Sequence, residues 1–234
     1  MNVLITGVGT GIGKATCLHF LKEGHTVFGV LRNNNHLDGL VKAAGSYAGN
    51  LKVLFADLED SNFSSLIIQQ LTEINISDID VLLNIAGILD TTSVSDFSVS
   101  QLNKVMMVNF VNPSMLISKL IPMLAQNQPG NIVNVTSMSG FQGSVRFPGL
   151  AAYGASKSAL SSLTESLSAE LSDFGIHSNA LAIGSVNTEM LQKAFPDFQS
   201  RISPSEMANY IYSFSTVGYK FYNGKVLSVA ITNP

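Results

Sequence analysis

The sequence lacks what several common classes of protein need. It contains one cysteine, Cys17, and no tryptophan among 234 residues. A single cysteine can form neither an intrachain disulfide nor a cysteine-rich zinc site; this fits a reducing compartment and predicts a cytoplasmic protein. The four histidines, His19, His25, His36 and His177, are not spaced like a short metal-binding motif, so no metal site is predicted.

Charge is also scarce. Only 12% of the residues are charged, and 13 Lys and Arg against 16 Asp and Glu leave a net charge of −3. Scattered basic residues on a slightly acidic chain offer no stripe that follows a phosphate backbone, so we predict no nucleic-acid partner. A hydrophobic fraction of 46% without charge runs excludes a disordered chain and provides for a sizeable core.

A long uninterrupted hydrophobic run is missing too. The longest stretch without acidic or basic residues, 120–145, contains Pro122, Pro129, Gly130 and Asn131. A membrane-spanning helix needs roughly 20 consecutive apolar residues, so this stretch predicts a helix end, a turn and a buried strand. The chain opens on a strand-like segment with no basic leader, and we predict neither a targeting peptide nor a membrane partner.

The chain does contain short apolar runs that alternate with longer segments of helical character. The runs predict seven strands, at Asn2–Thr6, Thr26–Leu31, Leu51–Ala56, Asp80–Asn84, Asn131–Thr136, Ile176–Ala182 and Lys225–Ala230. The longer segments predict six helices, at Gly13–Glu23, Leu37–Ala44, Phe63–Glu73, Ser100–Gln126, Tyr153–Asp173 and Pro204–Ser215. This alternation is typical of an α/β fold with a doubly wound, mostly parallel sheet. Because no linker divides the chain, we predict one domain over 1–234, with ligands beyond the carboxyl ends of the strands.

A glycine-rich turn follows the first predicted strand and precedes a predicted helix. Its glycines permit a tight turn whose backbone can approach a diphosphate at the helix N-terminus. The spacing is not the common Gly-x-Gly-x-x-Gly, and Ala15 after Lys14 excludes the P-loop of ATP-binding proteins. We predict a dinucleotide site that uses Thr6, Gly7, Thr10, Gly11, Ile12 and Gly13.

The residue after the second predicted strand is Arg32, at the position where NAD enzymes usually place a carboxylate for the ribose hydroxyls. A guanidinium suits a ribose 2′-phosphate. We therefore predict NADP(H) as the preferred cofactor and keep NAD(H) as the alternative. Asp57, just past the third predicted strand, is a candidate acceptor for the adenine amino group.

Tyr153 and Lys157 lie four residues apart in a predicted helix, so their side chains share one helix face. Tyrosine, with a pKa of about 10, is a poor acid–base group at neutral pH, but a neighbouring ammonium favours the phenolate. The pair alone is a weak motif. Polar residues at predicted strand ends and one within a predicted helix strengthen it: Ser137, Asn84-Ile85-Ala86-Gly87 and Asn109.

Together these motifs resemble the short-chain dehydrogenase/reductase family, in particular its single-domain members, from Val3 to about Val229. The resemblance rests on the glycine turn, Asp57, Asn84-x-Ala86-Gly87, Asn109, Ser137, Tyr153-x-x-x-Lys157 and Asn179…Gly184…Thr188. It implies an oxidoreductase that transfers a hydride between NADP(H) and a small-molecule carbonyl or secondary alcohol.

The resemblance also implies residue roles. Tyr153 would be the general acid–base, and Ser137 would bind the substrate carbonyl oxygen. Lys157 would hold the nicotinamide ribose and tune Tyr153, and Asn109 would position a proton-relaying water. The further cofactor contacts that it implies are Asn84, Ala86, Gly87, Gly184, Val186 and Thr188.

The sequence departs from the family pattern in places. Ile183 stands where proline is usual, and Ile85 stands where a second asparagine is usual. The interval between Ser137 and Tyr153 is longer than is common, which leaves Ser139 as a rival for the catalytic hydroxyl. We expect Ser137 to face the carbonyl and Ser139 to cap the turn.

Two other functions fit parts of the pattern. Sugar-nucleotide epimerases and dehydratases also carry Tyr-x-x-x-Lys, but they usually have a larger C-terminal region than the one that follows Lys157. A regulator that senses NADP(H) without turnover could lose its acid–base group, yet this chain keeps Tyr153, Ser137 and Asn109.

The helices predicted at 100–126 and 153–173 bear on assembly. They carry few charges and more apolar surface than one buried stripe needs. Since the resembling family packs this helix pair against a symmetry mate, we predict a homodimer or homotetramer.

The segment 186–203 bears on the substrate. It combines a helix-disrupting proline with four large apolar residues, Met190, Leu191, Phe195 and Phe198. We predict an irregular, mobile substrate loop that excludes water and selects an apolar or aromatic carbonyl rather than a sugar.

Overall fold

The computed structural model describes residues 1–231; Thr232, Asn233 and Pro234, the end of the predicted domain, lie outside the described residues. Within 1–231, seven strands form one sheet: β1 Asn2–Thr6, β2 Thr26–Leu31, β3 Leu51–Phe55, β4 Val81–Asn84, β5 Gly130–Ser137, β6 Ile176–Ile183 and β7 Val226–Val229. Their order is β3-β2-β1-β4-β5-β6-β7, and each neighbouring pair is parallel. The predicted doubly wound parallel sheet is confirmed, and its direction of winding reverses between β1 and β4.

Helices cover both faces of this sheet. Those described are α1 Gly11–Lys22, α2 Leu37–Ala44, α3 Phe63–Glu73, α4 Val99–Met106, α5 Asn112–Leu124, α6 Ala151–Glu170, α7 Glu189–Ala194 and α8 Pro204–Thr216. The six predicted helices are present with ends shifted by a few residues. Two details differ from the prediction, one in the long helix at 100–126 and one in the segment 186–203.

The long helix contains a π-helical turn at Met107–Val111, which joins α4 to α5. Asn109 lies in the middle of this turn, and its side chain is fully buried. The Asn109 amide pairs with the backbone of Ile88, accepting from its N–H and donating to its carbonyl, both at 2.9 Å. A π turn adds one residue to the helix and is frequent near functional sites; here it accompanies an asparagine turned inward.

The segment 186–203 is not wholly irregular, since α7 occupies six of its residues. Thr188 caps this helix, because its Oγ1 accepts a hydrogen bond from the N–H of Leu191 at 3.2 Å. Glu189 follows in the first turn, and Pro196 stands just beyond the end. These are ordinary start and stop signals, so the prediction of an irregular stretch was wrong for these residues.

Each face of the sheet has its own hydrophobic core. On one face, Val3 and Ile5 of β1 pack with residues of α1, α2 and α8, such as Phe20 and Ile211. On the other face, Leu4 packs with residues of α3, α5 and α6. Alternating side chains of the same strand therefore serve both layers, as expected for a sheet buried on both sides. The carboxyl ends of the strands are thereby held as a rigid edge.

One helical run, Val99–Leu124, is long and apolar enough to cross a membrane by length and composition alone. Leu116, Ile117, Leu120 and Leu124 on this run are buried against the sheet. The core helix of a soluble protein passes the same test, so burial in the core accounts for much of its apolar character.

Candidate active site

Two cavities open at the carboxyl edge of the sheet. The first, of about 390 Å³, is bounded by the glycine turn and the ends of β2, β3 and β4; we call it the glycine-loop cavity. The second, of about 310 Å³, lies past the ends of β5 and β6 and is called the apolar cavity. Both are lined by Ile12, Tyr153, Ile183, Thr188 and Met190. Ligands in the two cavities would therefore meet beside Tyr153.

The glycine-loop cavity depends on the absence of side chains. Gly7 has a φ of +78°, and a Cβ on it would lie 2.9 Å from the Cβ of Ala86. A Cβ on Gly13 would overlap the carbonyl oxygen of Gly7. The turn thus reaches its shape and its close contact with the loop after β4 only with glycine at these positions.

The N-terminus of α1 faces this cavity with free donors. Its N-cap, Thr10, makes no side-chain capping hydrogen bond within the described residues. Gly11, Ile12 and Gly13, in the first turn, all line the cavity. Uncapped N–H groups and the helix dipole favour an anion at this place, so the residues present fit a dinucleotide diphosphate.

Arg32 and Asp57 line the same cavity near the ends of β2 and β3. Arg32 is exposed. The ion pair found in residues 1–231 joins Lys104 to Glu59 and does not involve Arg32, so the Arg32 guanidinium is available to a ligand. Asp57 accepts a hydrogen bond through Oδ1 from the N–H of Glu59 at 2.9 Å, so one of its oxygens already serves the loop.

His36 also lines the glycine-loop cavity and was not predicted. Its ring packs over Gly9, where a Cβ would lie 3.1 Å from the ring Cδ2. His36 ends a short 3₁₀ turn that begins after Asn33. No periodicity or known motif marks such a residue, so the sequence carries no signal for it.

Thr6 and Asn84 were predicted to bind cofactor, but their side chains lie behind the cavity rather than in its lining. The Thr6 hydroxyl accepts hydrogen bonds from the N–H groups of Ile85 and Ala86, both at 3.1 Å. Asn84 donates to the Oδ1 of Asn134 at 2.9 Å inside the sheet. Any influence of these two side chains on a cofactor would act through the loop that they hold.

Lys157 is buried, and it lies on α6 one turn after Tyr153. Its ammonium donates a hydrogen bond to the carbonyl of Val135 at 3.0 Å, and only 4% of the residue is exposed. Burial lowers the pKa of Lys157 to about 8. The ammonium also lies close to Gly87, since a Cβ there would be 3.2 Å from Nζ.

Tyr153 behaves differently from the expectation that a neighbouring ammonium lowers its pKa. Burial is the main influence and raises the pKa of Tyr153, while a hydrogen bond with the Ser137 side chain lowers it. The phenol is therefore held in its protonated form at neutral pH. A protonated phenol is the form needed to donate a proton.

Ser137 and Ser139 both line the apolar cavity, but they differ in their contacts. Ser137 ends β5, lowers the pKa of Tyr153 through its side chain and accepts a hydrogen bond through Oγ from the N–H of Ser139 at 3.1 Å. Ser137, not Ser139, therefore caps the 3₁₀ turn at Met138–Gly140, which corrects the expected division of roles.

Asn109 lies behind Lys157 and does not line either cavity. Besides its pair of bonds to Ile88, it donates to the Oγ of Ser156 at 3.0 Å. A Cβ on Gly87 would lie 2.9 Å from Asn109 Oδ1. The Asn109 amide therefore holds the loop after β4 against α6, next to the ammonium of Lys157.

The apolar cavity is formed mainly by side chains from three segments, and among residues 1–231 none that lines it is charged. Its apolar walls include Leu89, Phe147, Leu150, Met190, Leu191, Phe195 and Phe198. Gly184 and Val186, predicted at the cofactor, line this cavity instead. Leu89, Phe147 and Leu150 were missed because loop residues show no periodicity that marks the side they face.

Comparison with known proteins agrees with this geometry. A family model described as short chain dehydrogenase matches residues 1–199. The 3-oxoacyl-[acyl-carrier-protein] reductase FabG of Thermotoga maritima is 30% identical over 236 residues, which cover 97% of this chain and 94% of that protein. The 3beta-hydroxysteroid dehydrogenase of Mediterraneibacter gnavus is 29% identical over 202 residues, covering 86% and 71%.

Solved structures are similar over nearly the whole chain. A 4-hydroxyisoleucine dehydrogenase complexed with NADH has a TM-score of 0.86 and 28% identity, covering 98% of this chain and 96% of that one. ElxO with NADP bound has a TM-score of 0.86 and 29% identity with the same coverage. Structural neighbours therefore include proteins solved with either nicotinamide dinucleotide.

Proposed function

This chain belongs to the short-chain dehydrogenase family and is an oxidoreductase that works with a nicotinamide cofactor; we propose that it prefers NADP(H) and reduces small carbonyl compounds with an apolar body. The reverse reaction would oxidise the matching secondary alcohols. The observation that carries this proposal is the position of Tyr153 in the wall of both cavities. One cavity suits a dinucleotide and the other suits an uncharged, apolar compound.

The preference for NADP(H) rests on Arg32. The guanidinium lines the glycine-loop cavity without an acidic partner among residues 1–231. A 2′-phosphate would supply two negative charges to a planar group that binds phosphate through charge-assisted hydrogen bonds. NADH would leave the same guanidinium without that contact.

Tyr153 is the proposed acid–base group. When bound, the nicotinamide supplies the hydride that reaches the carbonyl carbon. The phenol of Tyr153 donates its proton to the carbonyl oxygen, and the Ser137 hydroxyl donates a hydrogen bond to that oxygen. Both groups line the apolar cavity, and the Ser137 side chain acts on the Tyr153 phenol by lowering its pKa against the larger effect of burial.

Lys157 stabilises the phenolate that this proton transfer leaves behind. Its ammonium is fixed by the carbonyl of Val135, and α6 carries it on the same face as Tyr153. We assign Lys157 also to the nicotinamide ribose, since it lines the glycine-loop cavity. Asn109 supports Lys157 from behind by holding the loop at Gly87 and Ile88. We also assign to Asn109 the positioning of a water that relays protons to solvent.

The substrate is proposed to be apolar because of the second cavity. Its few polar groups, including Ser137, Ser139 and Tyr153, contrast with walls of Leu, Met and Phe side chains. A sugar would leave several hydroxyl groups without partners against those walls, which is costly. An aliphatic or aromatic ketone or aldehyde places its one polar atom at the hydroxyl groups.

Assembly into a homodimer or homotetramer is a further part of the proposal. On α6, Ala155, Ser162, Ser166 and Ala169 are exposed, so another helix could approach this face closely. Light scattering at micromolar concentration should give two or four times the mass of the chain, and a clean monomer would contradict this assembly. Cys17, a buried free thiol, agrees with the proposed cytoplasmic location.

Activity is tested by following NADPH absorbance with a panel of uncharged compounds. We expect oxidation of NADPH with aryl aldehydes and ketones and faster turnover with NADPH than with NADH. Reaction with sugar nucleotides alone would point to an epimerase or dehydratase. Tight NADPH binding without turnover of any carbonyl would point to a sensor.

A further inference from the structure

The loop 141–150 follows the 3₁₀ turn Met138–Gly140 at the end of β5 and leads into α6. It accounts for most of the interval between Ser137 and Tyr153, which is longer than is common in the family. Apart from Leu150 its residues are exposed or half-exposed, so little hydrophobic burial holds it. Its internal backbone bonds are few; Ser144 donates to Phe141 at 3.3 Å and Leu150 donates to Phe147 at 3.2 Å. Segments of this kind open easily unless something else ties them down.

Arg146 supplies that tie. Its guanidinium donates one hydrogen bond to the carbonyl of Ser139 and another, through Nη2, to the carbonyl of Phe141 at 3.0 Å. Both carbonyls belong to the chain that follows the catalytic end of β5. Hydrogen bonds from a charged donor are stronger than neutral ones, so one side chain folds the loop back onto its own start.

Phe147, the residue after Arg146, is placed by this turn of the loop. Phe147 lines the apolar cavity while 37% of it stays exposed, which places it at the rim. Gly149, with a φ of +83°, brings the loop so close to Thr91 that a Cβ would lie 2.8 Å from its carbonyl oxygen. The loop therefore packs against the segment after β4, which contributes Leu89 to the same cavity.

We propose that the loop 141–150 is a substrate-selecting wall, in which Phe147 determines specificity and Arg146 is a positioning residue that holds Phe147 in place. This inference rests on the proposed carbonyl reductase function. Without the guanidinium the loop moves away from the end of β5, the apolar cavity widens on one side, and an apolar substrate loses contact with the Phe147 ring. Ser137 is not displaced, because it belongs to β5. Tyr153 is not displaced, because the loop stays anchored to the first turn of α6 at the buried Leu150, whose carbonyl accepts from the N–H of Gly154 at 2.8 Å.

Hydrogen exchange tests the tie without reference to activity. Arg146→Met keeps the length of the side chain and removes its donors. It should speed exchange of the hydrogen-bonded amides of the loop, those of Ser144 and Leu150, at least about tenfold. Arg146→Lys, which can keep one of the two bonds, should give an intermediate rate. Lys52→Met is the matched control, because Lys52 is an exposed cation that donates to the carbonyl of Gly49 far from the cavities. Equal exchange in wild type and Arg146→Met would overturn the positioning role.

Kinetics with benzaldehyde and propanal test the wall. Arg146→Met and Phe147→Ala should each raise KM for benzaldehyde about fivefold while kcat changes less than twofold, since only binding of the ring is lost. KM for propanal should stay within about twofold, as propanal is too small to need the rim. Phe147→Ala should do this without faster exchange of the loop. An unchanged KM for benzaldehyde, or an equal change for both aldehydes, would overturn the wall.

A third measurement separates this inference from the function on which it rests. If the wild type reduces neither aldehyde, the proposed function fails. The wall is then judged by ligand-observed NMR with benzyl alcohol in the presence of NADP⁺. Weaker binding of benzyl alcohol by Phe147→Ala than by Lys52→Met supports the wall, and equal binding refutes it.

Discussion

The glycine-loop cavity and the apolar cavity share the Tyr153 ring, yet they are built in opposite ways. The first is shaped by backbone at the ends of strands, where Gly7 and Gly13 leave no room for a Cβ. The second is shaped by side chains of three loops, around Leu89, Phe147 and Phe198. A site made of backbone restricts which residues are tolerated, whereas a site made of loop side chains can change its lining while the fold stays the same.

The two cavities also differ in charge. The glycine-loop cavity is lined by charges of both signs. Arg32, Lys157 and the free N–H groups of α1 supply the positive ones, and Asp57, Glu59 and Glu189 the negative ones. In the described part of the chain, the residues that line the apolar cavity are all uncharged. Substitutions confined to one cavity should therefore change the binding of one ligand only, and substitutions at the shared wall should change turnover without loss of either ligand.

Tyr153→Phe tests the shared wall and carries the largest expected effect. Removing the hydroxyl takes away the proton donor but keeps the ring, so kcat should fall about 10²- to 10⁴-fold. The dissociation constant for NADPH should change less than about threefold, because the ring still lines both cavities. Stopped-flow turnover and fluorescence titration of NADPH measure the two quantities. A variant that keeps a tenth of the wild-type kcat would remove Tyr153 from the mechanism.

Ser137→Ala tests the polar end of the apolar cavity. Loss of a hydrogen-bond donor to the carbonyl oxygen should lower kcat by about a hundredfold. Ser139→Ala is the matched control and should cost only a few-fold, since Ser137 carries the bond with Tyr153. Steady-state kinetics on both variants decide the matter. The opposite ranking would mean that Ser139 is the catalytic hydroxyl and that the long interval before Tyr153 shifts the motif.

Arg32→Ala tests the outer end of the glycine-loop cavity. It should raise the dissociation constant for NADPH about tenfold to a hundredfold, the range expected when a charge-assisted contact to phosphate is lost. The constant for NADH should change little, and so should KM for the carbonyl substrate. Titration of both cofactors against wild type and variant measures this. Tighter binding of NADH than NADPH by the wild type would contradict the cofactor preference.

The pH dependence tests Lys157 at the boundary between the cavities. Burial lowers its pKa to about 8 and raises that of Tyr153, so as pH rises the first proton lost is that of Lys157. In the reduction direction, kcat/KM for NADPH, which reports the cofactor-free enzyme, should be level below about pH 8 and fall about tenfold per unit above it. Lys157→Arg, whose guanidinium stays charged, should shift this fall to higher pH. A level profile to pH 9.5 in the wild type would exclude this role.

The features that the sequence predicts are those that depend on local patterns. The alternation of strands and helices, the glycine turn and the pair Tyr153 and Lys157 follow from periodicity and spacing, because each is a local pattern repeated or fixed within a few residues. Arg32 and Asp57 were found for the same reason: they stand directly after strands, and parallel strands end at one edge. The lining made by strand ends was predictable in part, since Arg32 and Asp57 line the glycine-loop cavity whereas the side chains of Thr6 and Asn84 lie behind it.

The remainder depends on contacts between distant segments. That Asn84 turns toward Asn134, or that Asn109 pairs with Ile88, follows from packing across the sheet and not from any local pattern. That Ser137 rather than Ser139 caps the turn after β5 depends on the geometry of one 3₁₀ turn. Phe147 and His36 belong to short loops without periodicity, so only the folded chain reveals which cavity each one lines.

We predict that the segment 186–203 is a mobile wall of the apolar cavity, and substitutions in it should have the smallest effects. Its base is closed, since Asn187 donates to the carbonyl of Ile202 at 2.8 Å and the Ser200 hydroxyl donates to that of Ser185 at 2.7 Å. We therefore expect the part between these bonds, including α7, to move as one unit. Binding of NADP⁺ and benzyl alcohol together should slow hydrogen exchange there more than NADP⁺ alone.

Kinetics provide the second half of this test. Phe195→Ala and Phe198→Ala should each raise KM for benzaldehyde about two- to fivefold, because each removes apolar contact from the cavity. The dissociation constant for NADPH should be unchanged, since neither ring lines the glycine-loop cavity. Phe221→Ala serves as control, because that ring is 78% exposed and lines neither cavity. If exchange is the same with and without benzyl alcohol, or both ring deletions leave KM and kcat intact, 186–203 is an ordinary surface segment and substrate choice falls to the other walls of the apolar cavity.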